Sequence, residues 1–199
     1  MGLSKKKVSV GRWTKATFIG WLLGVFLILL LSSILDAAGI EHMQFYLGVG
    51  MGTGVGLSQW WFFRNFIKLK ANWIWASLFG MGLPFIILDV MRTDAIANKL
   101  IFGVALGGIT TGFFQFMILK KQSTTAWLWI IGCVIGWTLA GLTILVIDYT
   151  MTIKATGSVN LLLALSNLLI ILSGGLILGV CTGITLRKIL STDYPESMC

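Results

Sequence analysis

Six long apolar stretches, at about 16–36, 44–63, 72–90, 98–119, 126–149 and 159–186, are separated only by short polar or charged segments. A hydrocarbon core about 30 Å thick needs roughly 20 apolar residues per crossing helix. Six crossings and their short loops therefore consume a chain of 199 residues. The apolar runs are continuous, whereas barrel strands alternate every second residue, so the spans are helices. Charged residues make up 11% of the chain, against roughly 25% in a soluble domain. Mean hydropathy is +0.92, which excludes a water-soluble fold. The expectation is an all-α integral membrane protein with six transmembrane helices: a basic N-terminus over 1–15, one transmembrane domain over 16–190 and a short tail over 191–199. The first apolar run is longer than the roughly 7–15 residues of a signal-peptide core, so it reads as a retained span. The last is longer than a bilayer requires and is free to tilt, or to kink at Gly174-Gly175.

Basic residues stay on the cytoplasmic side of short-looped membrane proteins. With both termini inside, twelve of the fifteen Lys and Arg fall there: Lys5, Lys6, Lys7, Arg12, Lys15, Arg64, Lys68, Lys70, Lys120, Lys121, Arg187 and Lys188. Arg92, Lys99 and Lys154 fall outside, together with the acids Asp36, Glu41, Asp89, Asp94 and Asp148. The net charge of +8 is thus a layer of topology signals facing anionic headgroups, and nucleic acid is not an expected partner. Trp13, Trp60, Trp61, Trp73, Trp75, Trp127 and Trp129 fall near the same boundary and read as an interfacial anchoring belt. Trp21 and Trp137 lie deeper.

The chain also repeats itself. Gly52, Gly56, Gln59 and Arg64 match Gly108, Gly112, Gln115 and Lys120 at a constant shift of 56, from 52 to 108 and from 59 to 115. In the sixth span the same places hold Gly175, Gly179, Thr182 and Arg187. Among the odd spans, Trp73, Trp75 and Gly82 pair with Trp127, Trp129 and Gly136, while Trp13, Gly20 and Trp21 pair with Trp129, Gly136 and Trp137. Each odd span ends in an acid: Asp36, Asp89 or Asp148. The expected architecture is three parallel helical-hairpin repeats, about 12–64, 71–120 and 126–188, in a pseudo-threefold bundle whose axis runs along the membrane normal.

Gly48, Gly52, Gly56 and Gln59 share one helix face at spacings of four, four and three. Small faces let membrane helices approach closely, so Gly48, Gly52, Gly56, Gly108, Gly112, Gly175 and Gly179 are read as packing residues. If the even spans converge, Gln59, Gln115 and Thr182 form a polar ring on the axis, and Asp36, Asp89 and Asp148 form an acidic ring at the outer mouth. Asp89 and Arg92, three apart, are able to pair instead. Asn167 at mid-span needs a partner inside the bundle or at an oligomer contact. His42 stands alone, and Cys133, Cys181 and Cys199 are scattered, so neither a metal site nor a disulfide framework is expected. The glycines of 48–56 lie inside a span with no preceding strand and are no nucleotide motif; no catalytic constellation or cofactor site stands out.

Two functions follow as expectations. The first is the binding or passage of a small solute or ion along the axis, with the chain acting alone or as the membrane subunit of a permease. The alternative is a non-catalytic assembly or accessory protein that packs against lipids, other membrane-protein subunits or copies of itself. The expected location is the plasma (inner) membrane of a bacterium.

Overall fold

The computed structural model describes residues 9–40, 43–65, 67, 69–91, 99–154 and 161–192, with side chains left aside at 147–154, 162 and 192. Lys5, Lys6, Lys7, Glu41, His42, Lys68, Arg92, Asp94, Cys199 and the side chains of Asp148 and Lys154 lie outside the described residues.

Six helices follow one another: α1 (Val10–Ala37), α2 (Phe45–Phe63), α3 (Asn72–Val90), α4 (Lys99–Leu119), α5 (Leu128–Lys154) and α6 (Leu161–Thr192). The described residues contain no strand. In an apolar medium a backbone must satisfy its own polar groups, and a helix does so within one segment. Five of the six are long and apolar enough to cross a membrane, giving the architecture of a polytopic membrane protein. The exception is α2, whose nineteen residues include Gly48, Gly50, Gly52, Gly54, Gly56 and Gln59; glycine adds no apolar surface, which lowers its hydropathy without shortening it.

The helices outrun the apolar runs that announced them. α1 begins at Val10, inside the stretch read as a flanking terminus, and α6 continues to Thr192. After α1 the chain turns at Gly39, whose φ of +70° is accessible to glycine; Ile40 N–H donates back to Leu35 O at 3.0 Å, closing the helix with a Schellman-type bond. α6 runs unbroken through Gly174 and Gly175. The indole of Trp21 lies against both: a Cβ at either glycine would come within 2.7 Å of it.

Each helix packs on its chain neighbours, and α1 packs on α6, so the six close into a ring. Adjacent helices are antiparallel, since Gly48, Gly52 and Gly56 of α2 meet Met81, Ser77 and Ile74 of α3 in descending order. The inside is built from small and polar residues together with indole: Ala16, Thr17, Ser58, Ser77, Thr111, Ala140 and Thr182 are buried beside Trp13, Trp73 and Trp129. The outside is aliphatic and aromatic, with Phe26, Leu29, Ile87, Val90, Leu169 and Ile184 all more than half exposed. Lipid tails solvate such side chains, so close packing, rather than expulsion of oil from water, holds the ring.

α2 shows that packing most plainly. A Cβ at Gly48 would come within 2.5 Å of Met81 O, and one at Gly52 within 2.5 Å of Ser77 O, while Gly50 and Gly54 on the opposite face meet Ile28, Gly24 and Gly20 of α1. Pro84 inside α3 cannot donate to Gly80 O four residues earlier. The hydroxyl of Thr110 on α4 donates to that carbonyl instead, so the gap left by proline becomes an α3–α4 tie of the kind membrane helices use.

Candidate functional site: the axial core

Where α1, α3 and α5 begin and α2, α4 and α6 end, three indoles meet on the axis. Trp13, Trp73 and Trp129 are each 0% exposed, with ring centroids 6.3 Å (Trp13–Trp73), 5.7 Å (Trp13–Trp129) and 5.6 Å (Trp73–Trp129) apart. The two pairs made by Trp13 are edge-to-face, the arrangement the aromatic quadrupole favours. Phe63 leans on Trp13 at 4.9 Å.

A buried indole N–H needs an acceptor, and each finds one on the helix beside it. Trp73 Nε1 donates to Gln59 Oε1 at 3.1 Å, Trp129 Nε1 to Gln115 Oε1 at 2.8 Å and Trp13 Nε1 to Thr182 Oγ1 at 3.0 Å. Both glutamine amides then reach the opposite neighbour: Gln59 Nε2 donates to Thr17 Oγ1 at 3.0 Å and Gln115 Nε2 to Ser77 Oγ at 2.8 Å. Ser77 Oγ donates on to Trp73 O at 2.8 Å, and Thr182 Oγ1 to Leu178 O at 2.6 Å. Cys133 Sγ approaches Gln115 Oε1 at 3.7 Å. Every even helix is thus tied by one polar side chain to an odd helix. With roughly 0.6–2 kcal/mol per interhelical bond in a membrane, these ties and the indole contacts stabilise the ring where α1, α3 and α5 begin.

Little space remains. The cavity between this polar layer and Thr111, Trp137 and Leu178 has a volume of about 10 Å³, near the minimum that one water occupies. Farther along the axis Trp21, Met81 and Trp137 are 3%, 2% and 4% exposed, and Trp21 and Trp137 meet across the bundle at 6.1 Å.

These positions correct the reading of tryptophan as a uniform interfacial belt. Trp61, Trp75 and Trp127 are 59%, 57% and 53% exposed and face outward, but Trp13, Trp73 and Trp129 are interior. Residues two apart on a helix point about 200° from each other, so Trp73 and Trp75 occupy opposite faces; Trp127, in the turn just before α5, is likewise exposed where Trp129 is buried. The match of Trp73 with Trp127 is therefore out of register by two: Trp73 shares its surroundings with Trp129, at the same shift of 56 that relates Gln59 to Gln115.

The structure brings Gln59, Gln115 and Thr182 into one layer, each buried. Thr17 and Ser77, which the two glutamine amides reach, were not singled out in the sequence, and Cys133 was weighed only as a metal or disulfide residue, although each stands four residues after its axial tryptophan. The packing glycines sit at helix approaches. Cβ atoms at Gly56, Gly112 and Gly179 would come within 3.4, 3.0 and 2.8 Å of the Cα atoms of Ile74, Ile130 and Thr14, which follow Trp73, Trp129 and Trp13. Gly108 faces Cys133 O and Val134 Cα, and Gly175 faces the ring of Trp21.

The acids differ among themselves. Asp36 is exposed at the end of α1, with Ser32 Oγ at 3.5 Å. Asp89 is not open to water: its side chain is 4% exposed and lies 3.2 Å from Lys99 Nζ. It accepts the N–H groups of Gln44 and Phe45, both at 2.7 Å, so a carboxylate caps the first turn of α2, where orphan donors and the helix dipole favour negative charge. The expected alternative partner, Arg92, lies outside the described residues. Asn167 is buried at 7%. Among the described residues no three His, Cys, Asp or Glu side chains come together to hold a metal ion. Comparison of the chain with family models, with curated proteins and with solved structures finds no match.

Proposed function

We propose that this protein is a non-catalytic, six-span membrane component that works through its outer surface, packing against lipids or other membrane proteins as an accessory or assembly factor, and is not a conduit. The observation that carries this reading is the axial core. Three buried indoles, each hydrogen-bonded to a glutamine or threonine, fill the place where a path was expected, beside a cavity of about 10 Å³. A solute site needs unsatisfied groups facing open volume; here the groups of Gln59, Gln115 and Thr182 are spent on the indoles, and Thr111 Oγ1, which lines the cavity without a partner, faces space for about one water.

The finer architecture belongs to the same proposal. We read three parallel hairpins, α1–α2, α3–α4 and α5–α6, around a pseudo-threefold axis. The threefold recurrence of the tryptophan bond to a preceding even helix, closed by Trp13 to Thr182, supports this. α2 is counted as a crossing because it matches α3 in length and is packed between two membrane-length neighbours. Both termini are placed in the cytoplasm by the distribution of Lys and Arg. The bacterial plasma (inner) membrane rests on the same short loops and basic flanks.

Reconstitution tests the choice between surface and conduit. Liposomes holding the purified protein are expected to leak monovalent ions and small polar solutes no faster than protein-free liposomes, with or without Gln59→Leu and Gln115→Leu together. Flux above the protein-free rate that changes in the double variant would restore the axial path.

A further inference from the structure

We infer that the outward groove between α3 and α4 is a binding site for an anionic phospholipid, whose acyl chain lies in the groove and whose headgroup sits on Lys70 and Lys121. This deepens the surface reading above and rests on it.

The groove is lined by Asn72, Trp75, Phe79 and Leu83 of α3 and by Phe114 and Ile118 of α4, and its volume is about 310 Å³. That lies within the roughly 300–1,000 Å³ of small-molecule sites. Trp75 and Phe79 stack at 5.7 Å and 21° to form one aromatic wall, and both are about half exposed, at 57% and 47%. From Asn72 to Leu83 the helix rises roughly 16 Å at about 1.5 Å per residue, the depth of one leaflet of a core about 30 Å thick. The groove thus begins at the membrane boundary and ends near the bilayer centre, as an acyl chain does.

Charge at one end selects the lipid. Lys70 stands two residues before Asn72 and Lys121 three after Ile118, and both are exposed, whereas Lys120 Nζ turns away to lie over the Phe116 ring at 6.0 Å. Of the seven acids in the chain, none lies between residues 42 and 88 or between 95 and 147, so neither helix nor its flank at this end carries a carboxylate. Asn72, also exposed, adds a neutral donor at the mouth. A second copy is the less favoured occupant, because a neighbour in the same bilayer has the same orientation and would set its own lysines at the same depth.

Native mass spectrometry of the full-length protein in mild detergent, with phosphatidylglycerol and phosphatidylcholine of the same chains offered at equal concentration, tests the assignment. Each near-surface lysine strengthens binding of an anionic headgroup roughly fivefold. Wild type is therefore expected to retain one phosphatidylglycerol about tenfold or more in preference to phosphatidylcholine. Lys70→Gln and Lys121→Gln together are expected to remove the preference, and Leu83→Trp, which narrows the inner groove, to lower retention of both lipids. Should the double variant fold poorly, wild type alone suffices, since high salt should abolish the preference by screening the exposed lysines. Equal retention of the two lipids by wild type, a salt-independent preference, or a dimer in place of the lipid adduct would overturn the assignment. None of these results touches the closed axis, which the flux measurement decides separately.

Discussion

A Gly54→Leu variant is expected not to assemble as a monodisperse protein in detergent, or to unfold with a loss of at least about 3 kcal/mol, the upper range of overpacking costs. Gly54 is where α1 and α2 meet backbone to backbone. A Cβ there would fall on the N and Cα of Gly24 and within 2.6 Å of Gly20 O. Flexible side chains relieve a clash by changing rotamer, whereas here only separation of the two helices relieves it. That movement would also pull Ser58 Oγ from Ala16 O, now 2.7 Å away, and Gln59 from Thr17. Gly11→Leu is the control, because its Cβ would meet nothing nearer than Ser9 Oγ at 3.8 Å. That variant should keep wild-type stability within about 0.5 kcal/mol, as surface changes do. Equal behaviour of the two variants by size-exclusion chromatography and reversible unfolding would show that the glycine face does not set the helix spacing.

The second large effect concerns the axial hydrogen bonds. Gln115→Leu is expected to destabilise the protein by about 2–4 kcal/mol, because it strands the Trp129 N–H in a fully buried position and cuts the tie to Ser77. Trp129→Phe removes the donor and thins the indole cluster. If the two side chains act as a unit, the double variant should cost less than the two single changes added, by roughly 1–2 kcal/mol. Additive losses in a double-mutant cycle would mean that the bond contributes nothing beyond its parts. The same cycle at Gln59 and Trp73, which share the geometry, should give a coupling of the same sign.

Much of this core is legible before folding, and what is not has a physical cause. Continuous apolar runs give the helices directly, since a helix satisfies its backbone within one segment whereas barrel strands would alternate. The spacing of Gly48, Gly52, Gly56 and Gln59 gives a packing face, because helical periodicity alone fixes which residues share a side. Tryptophan is different. Its preference for the boundary sets depth, but depth does not say whether the ring turns to lipid or to the axis. Trp73 and Trp75 differ only in azimuth, and azimuth becomes known when a neighbouring helix supplies an acceptor. Asp89 teaches the same lesson: at the end of a span an exposed acid and a buried cap look alike until the start of α2 is brought to it. The hydropathy of α2, lowered by its own glycines, shows how a residue that builds the bundle weakens the signal of the span.

The closed axis is tested most directly by Cys133, a native thiol that lines the axial cavity and is 1% exposed. In a Cys181→Ser, Cys199→Ser background reconstituted in liposomes, a small water-soluble methanethiosulfonate is predicted to leave Cys133 unmodified while it reacts to completion with an added Gln122→Cys, whose position on the loop after α4 is exposed. Modification of Cys133 at a rate comparable to that of Gln122→Cys would mean that water reaches the tryptophan layer, and would contradict the account of a sealed, structural core.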